Sequence, residues 1–203
     1  MNERNRNVLL GDCGLEIISG QIMSRLVIKE DAGEEALEIR KVVIPKSIHA
    51  DGHIDVSEMP EESLRSSPDP KRLTDQGDIV MKLSTPYDAA RVDEDSIGCI
   101  VPSFCAIIKS TGELDPDYLL AFLNSAACKA QLKQQVAGAT MAMLSVGKIK
   151  NVLIPVPSLE RQQEIGSKFF ETQRKVHLME QIIQLEQKKN DIYFRDMVKE
   201  YEE

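Results

Sequence analysis

The chain has 203 residues, of which 42% are hydrophobic and 29% charged, and its formal net charge is −8 at pH 7. That length suits one good core, or one modest core with an extended appendage, and no apolar run approaches the roughly 20 residues of a membrane-spanning helix. The polar start has no apolar segment of the secretory type, so we expect a cytoplasmic protein. The four cysteines form no Cys-x-x-Cys pair, which predicts reduced, buried thiols. His49 and His53 lie four apart, but the predicted turn at Asp51-Gly52 between them indicates loop histidines, so no metal is expected.

A mixed or antiparallel sheet is predicted for the first part of the chain, because short β-rich runs alternate there with turn residues. The predicted strands are residues 8–10, 17–18, 37–44, 79–83, 97–101, 104–109 and 151–155. The stretch 60–74 contains three prolines and is predicted to be an irregular surface excursion.

Two helices interrupt these strands. Asp115 is a good N-cap, Pro116 fits the first helical position, and an apolar stripe follows between Leu119 and Leu123. A second short helix is predicted from Ala126 to about Val136. The region up to residue 157 is therefore predicted to be α+β in class.

The composition changes after Ser158. Residues 159–201 contain no proline and a single glycine, Gly166, and charges of both signs alternate with glutamine, as is typical of a long exposed helix. About 40 residues at ~1.5 Å each make a helix of roughly 60 Å, too long to pack on so small a domain. We therefore predict two domains, residues 1–157 and 158–203, the second being a coiled-coil-type helix.

Two neighbouring apolar stripes on this helix predict burial against other helices. One consists of Ile165, Phe169, Val176, Met179 and Ile183, and the other of Leu178, Ile182, Leu185 and Ile192. Two stripes imply more than one partner helix, so we expect a helix pair or bundle made with another chain. The alternative is a helix folded back on its own domain.

The acidic net charge argues against a general nucleic-acid binder, because Lys and Arg supply most non-specific affinity for phosphates. The acidic residues concentrate in 30–35, 55–62 and 93–95, whereas residues 97–157 hold five lysines against three acids. The distribution allows a basic face, and weak DNA binding by the isolated chain is expected.

Four separate motifs resemble those of the specificity subunits of type I restriction-modification systems. They are LTDQGDIV at 73–80, LDPDYLLAFLNS at 114–125, GAT at 138–140, and IPVP at 154–157 with ERQQEI at 160–165. The proline-containing strand followed by a glutamine-rich helix start is the most specific of them. The resemblance runs from Leu9 to the C-terminus and is weakest between Gln21 and Arg72.

This resemblance implies a non-catalytic protein that recognises DNA sequence. Residues 1–157 would be the target-recognition domain, and residues 158–203 a helix for dimerisation and for binding partner subunits. The resemblance implies no cofactor on this chain, since S-adenosylmethionine, ATP and Mg are expected only on the methyltransferase and restriction subunits.

The chain departs from the family pattern in one respect. Full specificity subunits carry two recognition domains and two long helices, whereas this chain has one of each and so resembles a half-subunit. It is expected to read one half of a bipartite target and to form a homodimer through its helix, which favours a symmetric target. The alternative is a truncated gene product.

Contacts with double-stranded DNA are expected in three loops, because loops that join short strands vary without disturbing a core. The candidates for base or phosphate contacts are Gln21, Ser24 and Arg25 after Gly20; Lys82, Ser84, Thr85, Tyr87 and Arg91 around the turn at Pro86; and Thr140 and Lys148 in a glycine-containing segment.

The sequence lacks the motifs of the catalytic functions that we considered. An amino-methyltransferase needs Asp or Asn before Pro-Pro and an aromatic ring, and the nearest match, Ser84-Thr85-Pro86-Tyr87, lacks the required first residue. The sequence also has no glycine-rich turn for S-adenosylmethionine before it and no nucleotide phosphate loop. Two other functions remain open: a dimeric coiled-coil protein-interaction adaptor, which the acidic pI favours slightly, and a detached recognition domain of a single-chain restriction enzyme or methyltransferase.

Overall fold

The computed structural model of the chain describes residues 6–28, 35–109, 114–138 and 143–199. The chain divides into two compact units, Met1–Gly166 and Ser167–Glu203. This division falls inside the long helix, whose first turns belong to the first unit, whereas the sequence places a domain boundary at residue 157.

Strands and helices alternate in the first unit. The strands are β1 (Arg6–Leu9), β2 (Glu16–Ser19), β3 (Glu38–Lys41), β4 (Glu61–Leu64), β5 (Ile79–Lys82), β6 (Ala89–Arg91), β7 (Cys105–Lys109) and β8 (Leu153–Val156). The helices are α1 (Met23–Leu26), α2 (Pro116–Asn124), α3 (Ala126–Val136), α4 (Val146–Lys150) and α5 (Leu159–Lys199).

The strands form antiparallel sheets. The largest has the order β2-β7-β5-β6, while β1 pairs with β8 and β3 with β4. Consecutive residues of the inner strands are buried, from Ile79 to Met81 in β5 and from Cys105 to Ile108 in β7. Burial of consecutive strand residues means that both faces of this sheet are covered.

Two carboxamide side chains satisfy backbone groups of strand residues. Asn124, at the end of α2, accepts from Ala89 N at 3.0 Å and donates to Ala89 O at 2.8 Å. Gln131 of α3 makes the same pair of bonds with Leu153 of β8, at 2.9 Å each. The helices thus supply the hydrogen bonds that a further strand would otherwise make.

The α+β class, the antiparallel pairing and the long helix confirm the sequence predictions. The short helices α2 and α3 also form where they were predicted, and Asp115 caps α2 by accepting from Asp117 N at 3.0 Å and Tyr118 N at 2.9 Å.

Two strand predictions are wrong. The stretch predicted to be irregular contains β4, because Pro60 and Pro68 lie outside the strand and so leave its ladder bonds intact. Conversely, 97–101 forms only isolated bridges at Ile100. Gly98 has a φ of +73°, and the Thr74 hydroxyl accepts from Cys99 N at 2.8 Å, so a side chain replaces part of the ladder there. The sequence reading also missed β6.

Candidate nucleic-acid interface

The first predicted loop combines a buried amide with exposed polar side chains. Gln21 is only 7% exposed, and its backbone is held by Gln21 N donating to Val101 O and by Ser103 N donating to Gln21 O, both at 2.7 Å. Ser24 and Arg25 lie on α1 and are exposed. This loop therefore places a buried amide close in sequence to an exposed cation.

A basic side chain that the sequence reading missed lies at the same place. Arg72 donates to Gly20 O at 2.9 Å and lines one surface depression together with Gln21 and Arg25. The adjacent basic pair Lys71-Arg72 is the only sequence signal for it, and it falls in the stretch that was predicted to be an irregular excursion.

The second predicted loop is the β5–β6 turn, and its residues separate into surface and core. Ser84 and Thr85 are exposed. Tyr87, predicted to contact DNA, is 1% exposed and has a φ of 61°, so its ring belongs to the core instead. The chain enters the core at Tyr87, since Asp88, Ala89 and Ala90, which follow it, are buried as well.

Lys82, another predicted DNA contact, belongs to an internal ion pair. Its Nζ lies 2.8 Å from Asp88 Oδ2, with 12% of its side chain exposed, and Lys129 of α3 reaches Asp88 Oδ1 at 2.6 Å. Burial alone would raise the pKa of Asp88, but hydrogen bonds and charge from Lys129 and Lys82 outweigh it and hold the pKa below its ordinary value. These three residues tie the β5–β6 turn to α3.

Replacing Asp88 with asparagine is expected to lower the free energy of unfolding at pH 7 by about 2 kcal/mol, because two lysines lose a charged acceptor. Since folding lowers the pKa of Asp88, its contribution to stability is fully present above the ordinary pKa of 3.8 and is lost as pH falls through the lower pKa of the folded state. Urea unfolding across pH should show the two proteins converging in acid. The exposed Asp95→Asn is the control, and equal stability of Asp88→Asn and Asp95→Asn at pH 7 would contradict the assignment.

The remaining predicted contacts differ in how available they are. Arg91 is exposed, and its guanidinium lies 2.5 Å from Asp117 Oδ1. Lys148 is half-buried in α4. Thr140 lies outside the described residues.

The motifs that carry the family resemblance serve the scaffold. Asp78 is buried, accepts from Asp75 N at 3.0 Å and pairs with Lys109 at 2.8 Å. Gln162 is buried at the start of α5, where its Oε1 accepts from Asp115 N at 2.9 Å and its Nε2 donates to Pro157 O at 3.0 Å. A single amide therefore joins the proline-containing strand end, the α2 cap and the long helix.

Gly166 continues this junction one turn further along α5. A Cβ at this position would lie 2.6 Å from Asp117 Cβ and 2.9 Å from the backbone of Tyr118. The only glycine of the long helix thus marks its close approach to the first turn of α2.

The predicted apolar stripes of α5 become more exposed along the helix. Ile165 is half-buried, and Phe169, also half-buried, packs edge-to-face on Phe170 with ring centroids 5.3 Å apart. The later members of the two predicted stripes are all exposed: Val176, Leu178, Met179, Ile182, Ile183, Leu185 and Ile192.

All four cysteines are buried thiols, as predicted, and burial raises the pKa of Cys105 and of Cys128 to about 12. Within the described ranges, no group of three or more His, Cys, Asp or Glu side chains is placed to hold a metal ion. No helix among the described residues is both long and apolar enough to cross a membrane.

Comparison with known proteins points to one family. Residues 96–187 match the model of the type I restriction modification DNA specificity domain. A search of curated protein sequences finds no match.

Solved structures share the fold. The HsdS subunit from Thermoanaerobacter tengcongensis is 20% identical, with a TM-score of 0.64, over 94% of this chain and 47% of that one. A chain from a study of complex assembly and conformational transition in a type I R-M system is 18% identical, with a TM-score of 0.60, over 90% of this chain and 42% of that one. The S subunit from M. genitalium is 14% identical, with a TM-score of 0.52, over 87% and 41%.

The chain thus spans less than half the length of these solved relatives. Type I specificity subunits are non-catalytic, in agreement with the prediction from sequence. Residues 96–187 thus resemble the type I restriction modification DNA specificity domain, and the chain shares the fold of part of a specificity subunit.

Proposed function

We propose that this chain reads one half of a bipartite DNA target and completes the reader by pairing with a second copy of itself. The observation that carries the proposal is the apolar stripe that α5 leaves exposed, which includes Val176, Met179 and Ile183. A second copy paired through this stripe would supply a second recognition domain, and two-fold pairing would favour a symmetric target.

The proposed DNA surface uses the exposed members of the predicted set. The exposed members are Ser24, Arg25, Ser84, Thr85 and Arg91, and the half-buried Lys148 is kept with them. Hydroxyls and guanidinium groups of this kind contact phosphates and base edges. We keep Thr140 as a candidate from its sequence position alone, and we assign Tyr87 and Lys82 to the scaffold.

The proposed pairing surface is the apolar part of α5. Burying its side chains against a partner helix would stabilise association by about 25 cal/mol per Å² of apolar surface removed from water. The side chains concerned are Val176, Met179, Ile182, Ile183 and Leu185. The same helix is proposed to dock methyltransferase and restriction subunits, on which S-adenosylmethionine, ATP and Mg would act. The cytoplasm is the proposed site of this assembly, because its DNA target lies there.

A protein-interaction adaptor is the competing function, and the net charge of −8 favours it. Measuring duplex binding by the chain, with and without its partner methyltransferase subunit, between about 50 and 200 mM salt separates the two. The reader predicts a shift of duplex DNA by the complex whose affinity falls steeply with salt, and weak binding by the chain alone. An adaptor predicts a protein complex that never shifts DNA.

A further inference from the structure

A surface depression of about 270 Å³ lies between α1 and the turn that follows β4. It is lined by Gln21, Ile22, Arg25, Leu26, Asp69 and Arg72. Two distant parts of the chain therefore meet here. Gln21 and Arg25 belong to the first predicted DNA loop, and Asp69 lies 48 residues after Gln21.

Gln21 lines this depression, and the donor end of its amide is buried and without a partner in the described part of the chain. Its Oε1 accepts from Asp69 N at 2.8 Å, and because a backbone N–H needs an acceptor, that bond fixes which end of the amide is oxygen. Its Nε2 is buried and has no hydrogen-bond partner among the described residues. A buried donor without a partner is unfavourable, so a ligand that brings an acceptor to it is favoured.

The charged side chains of the depression favour an anion. Arg25 is exposed, and Arg72 is held by its bonds to Gly20 O at 2.9 Å and to Asp69 Oδ2 at 3.2 Å. The Asp69 carboxylate is already engaged, because its Oδ1 also accepts from Lys71 N at 3.0 Å. The depression is lined by two guanidinium groups and one carboxylate, so its net charge is positive.

The atom of the Gln21 amide that is still unpaired indicates whether this side chain would contact a phosphate or a base. A glutamine that reads adenine uses both its oxygen and its nitrogen on the base edge. Here the oxygen is committed to Asp69 N, so Gln21 offers a single donor that any acceptor satisfies. A contact of this kind sets the register of a protein on DNA without reading sequence.

We propose that this depression binds one phosphate of the DNA backbone through Gln21 Nε2, Arg25 and Arg72. This inference rests on the proposed function, since the phosphate belongs to the target duplex. It makes the first loop an anchor that positions the protein, and it leaves base reading to other residues.

The test is Gln21→Glu in the complex with the methyltransferase subunit. Glutamate has nearly the same shape and keeps an oxygen for Asp69 N, but it replaces the buried donor by a negative oxygen that repels phosphate. Affinity is measured for a target duplex and for a scrambled duplex across a salt series. The matched control is Gln134→Glu, an exposed glutamine of α3 that gains the same charge.

We expect Gln21→Glu to weaken both duplexes by the same factor, about tenfold, and Gln134→Glu to weaken neither. Arg25→Ala, at an exposed position, should lower the salt slope by about 1 on both duplexes, and it decides the matter if Gln21→Glu fails to fold. If Arg25→Ala binds both duplexes as tightly as the wild type, the proposal is wrong. If either variant loses affinity for the target duplex alone, the residue contacts a base and the proposal is also wrong. If the wild-type complex shifts neither duplex, the proposed function itself is wrong.

Discussion

Replacing Met179 and Ile183 together by glutamate is expected to give a folded monomer. Both side chains are exposed on α5, 62% and 55% respectively, and both belong to one apolar stripe. In a paired helix each new carboxylate would be buried against an apolar surface, and the effective penalty is several kcal/mol per ion. We expect this loss to exceed what the remaining stripe residues supply, and the pair should then dissociate at micromolar concentration.

Light scattering measures this directly, together with far-UV circular dichroism to check that the helix persists. The matched control is His177→Glu with Gln184→Glu, two exposed positions that have no stripe residue three or four places away, so the same charge is added on the polar face of the helix. The control should keep the mass of the wild-type protein. A mass that does not change in Met179→Glu/Ile183→Glu, with the wild type dimeric, would mean that this stripe is not the dimer contact.

Replacing Gly20 by alanine should have the largest effect on the stability of the first unit. A Cβ there would lie 2.2 Å from Pro102 O and 2.3 Å from Val101 O, both backbone atoms that a side-chain rotation cannot move. Gly20 N also donates to Cys105 O at 3.0 Å, so the segment cannot retreat without losing that bond. We expect a loss of about 3 kcal/mol or more in the free energy of unfolding.

Thermal unfolding measures the effect, and a decrease in Tm of roughly 6–12 °C corresponds to that loss for a chain of this size. Gly147→Ala is the matched control, because the nearest atom to its new Cβ is Ser145 Oγ at 3.9 Å and it lies inside the short helix α4. Alanine there should be neutral or slightly stabilising. Similar Tm values for the two variants would contradict the close packing at Gly20.

The three longest helices, α2, α3 and α5, were predictable from sequence because their signals are local, whereas the short helices α1 and α4 lie in segments that were predicted to be loops. Asp115 and Pro116 mark the start of α2, and the absence of proline after residue 158 predicts α5. The strands were harder, because pairing depends on distant residues: β4 pairs with β3, more than 20 residues earlier, across a stretch whose prolines indicated a loop. A proline bounds a strand as readily as it breaks one.

The candidate site was predictable only in part, for the same reason. Loop position indicated that Ser24, Arg25 and Arg91 lie at the surface, and all three are exposed. No local pattern indicated that Lys82 would meet Asp88 and Lys129, because the second contact joins residues 41 apart in sequence. The same holds for Gln21, whose carbonyl oxygen is committed by the backbone of Asp69.

The family motifs illustrate a difference between recognising a fold and locating its site. Asp78, Asp115 and Gln162 make hydrogen bonds that hold the scaffold together, and none of them is a candidate DNA contact. Residues of this kind identify the family because the scaffold requires them. The target sequence depends instead on loop side chains, and the resemblance is weakest between Gln21 and Arg72, where part of the candidate surface lies.

The most direct measurement is the map of methylated genomic sites in cells that carry the partner methyltransferase subunit, with and without this chain. If the chain is one half of a symmetric reader, removing it should abolish methylation at a single symmetric motif, and restoring it should bring that motif back. Met179→Glu/Ile183→Glu should fail to restore it. An unchanged methylation map after removal of the chain would contradict the account, whatever the chain binds in isolation.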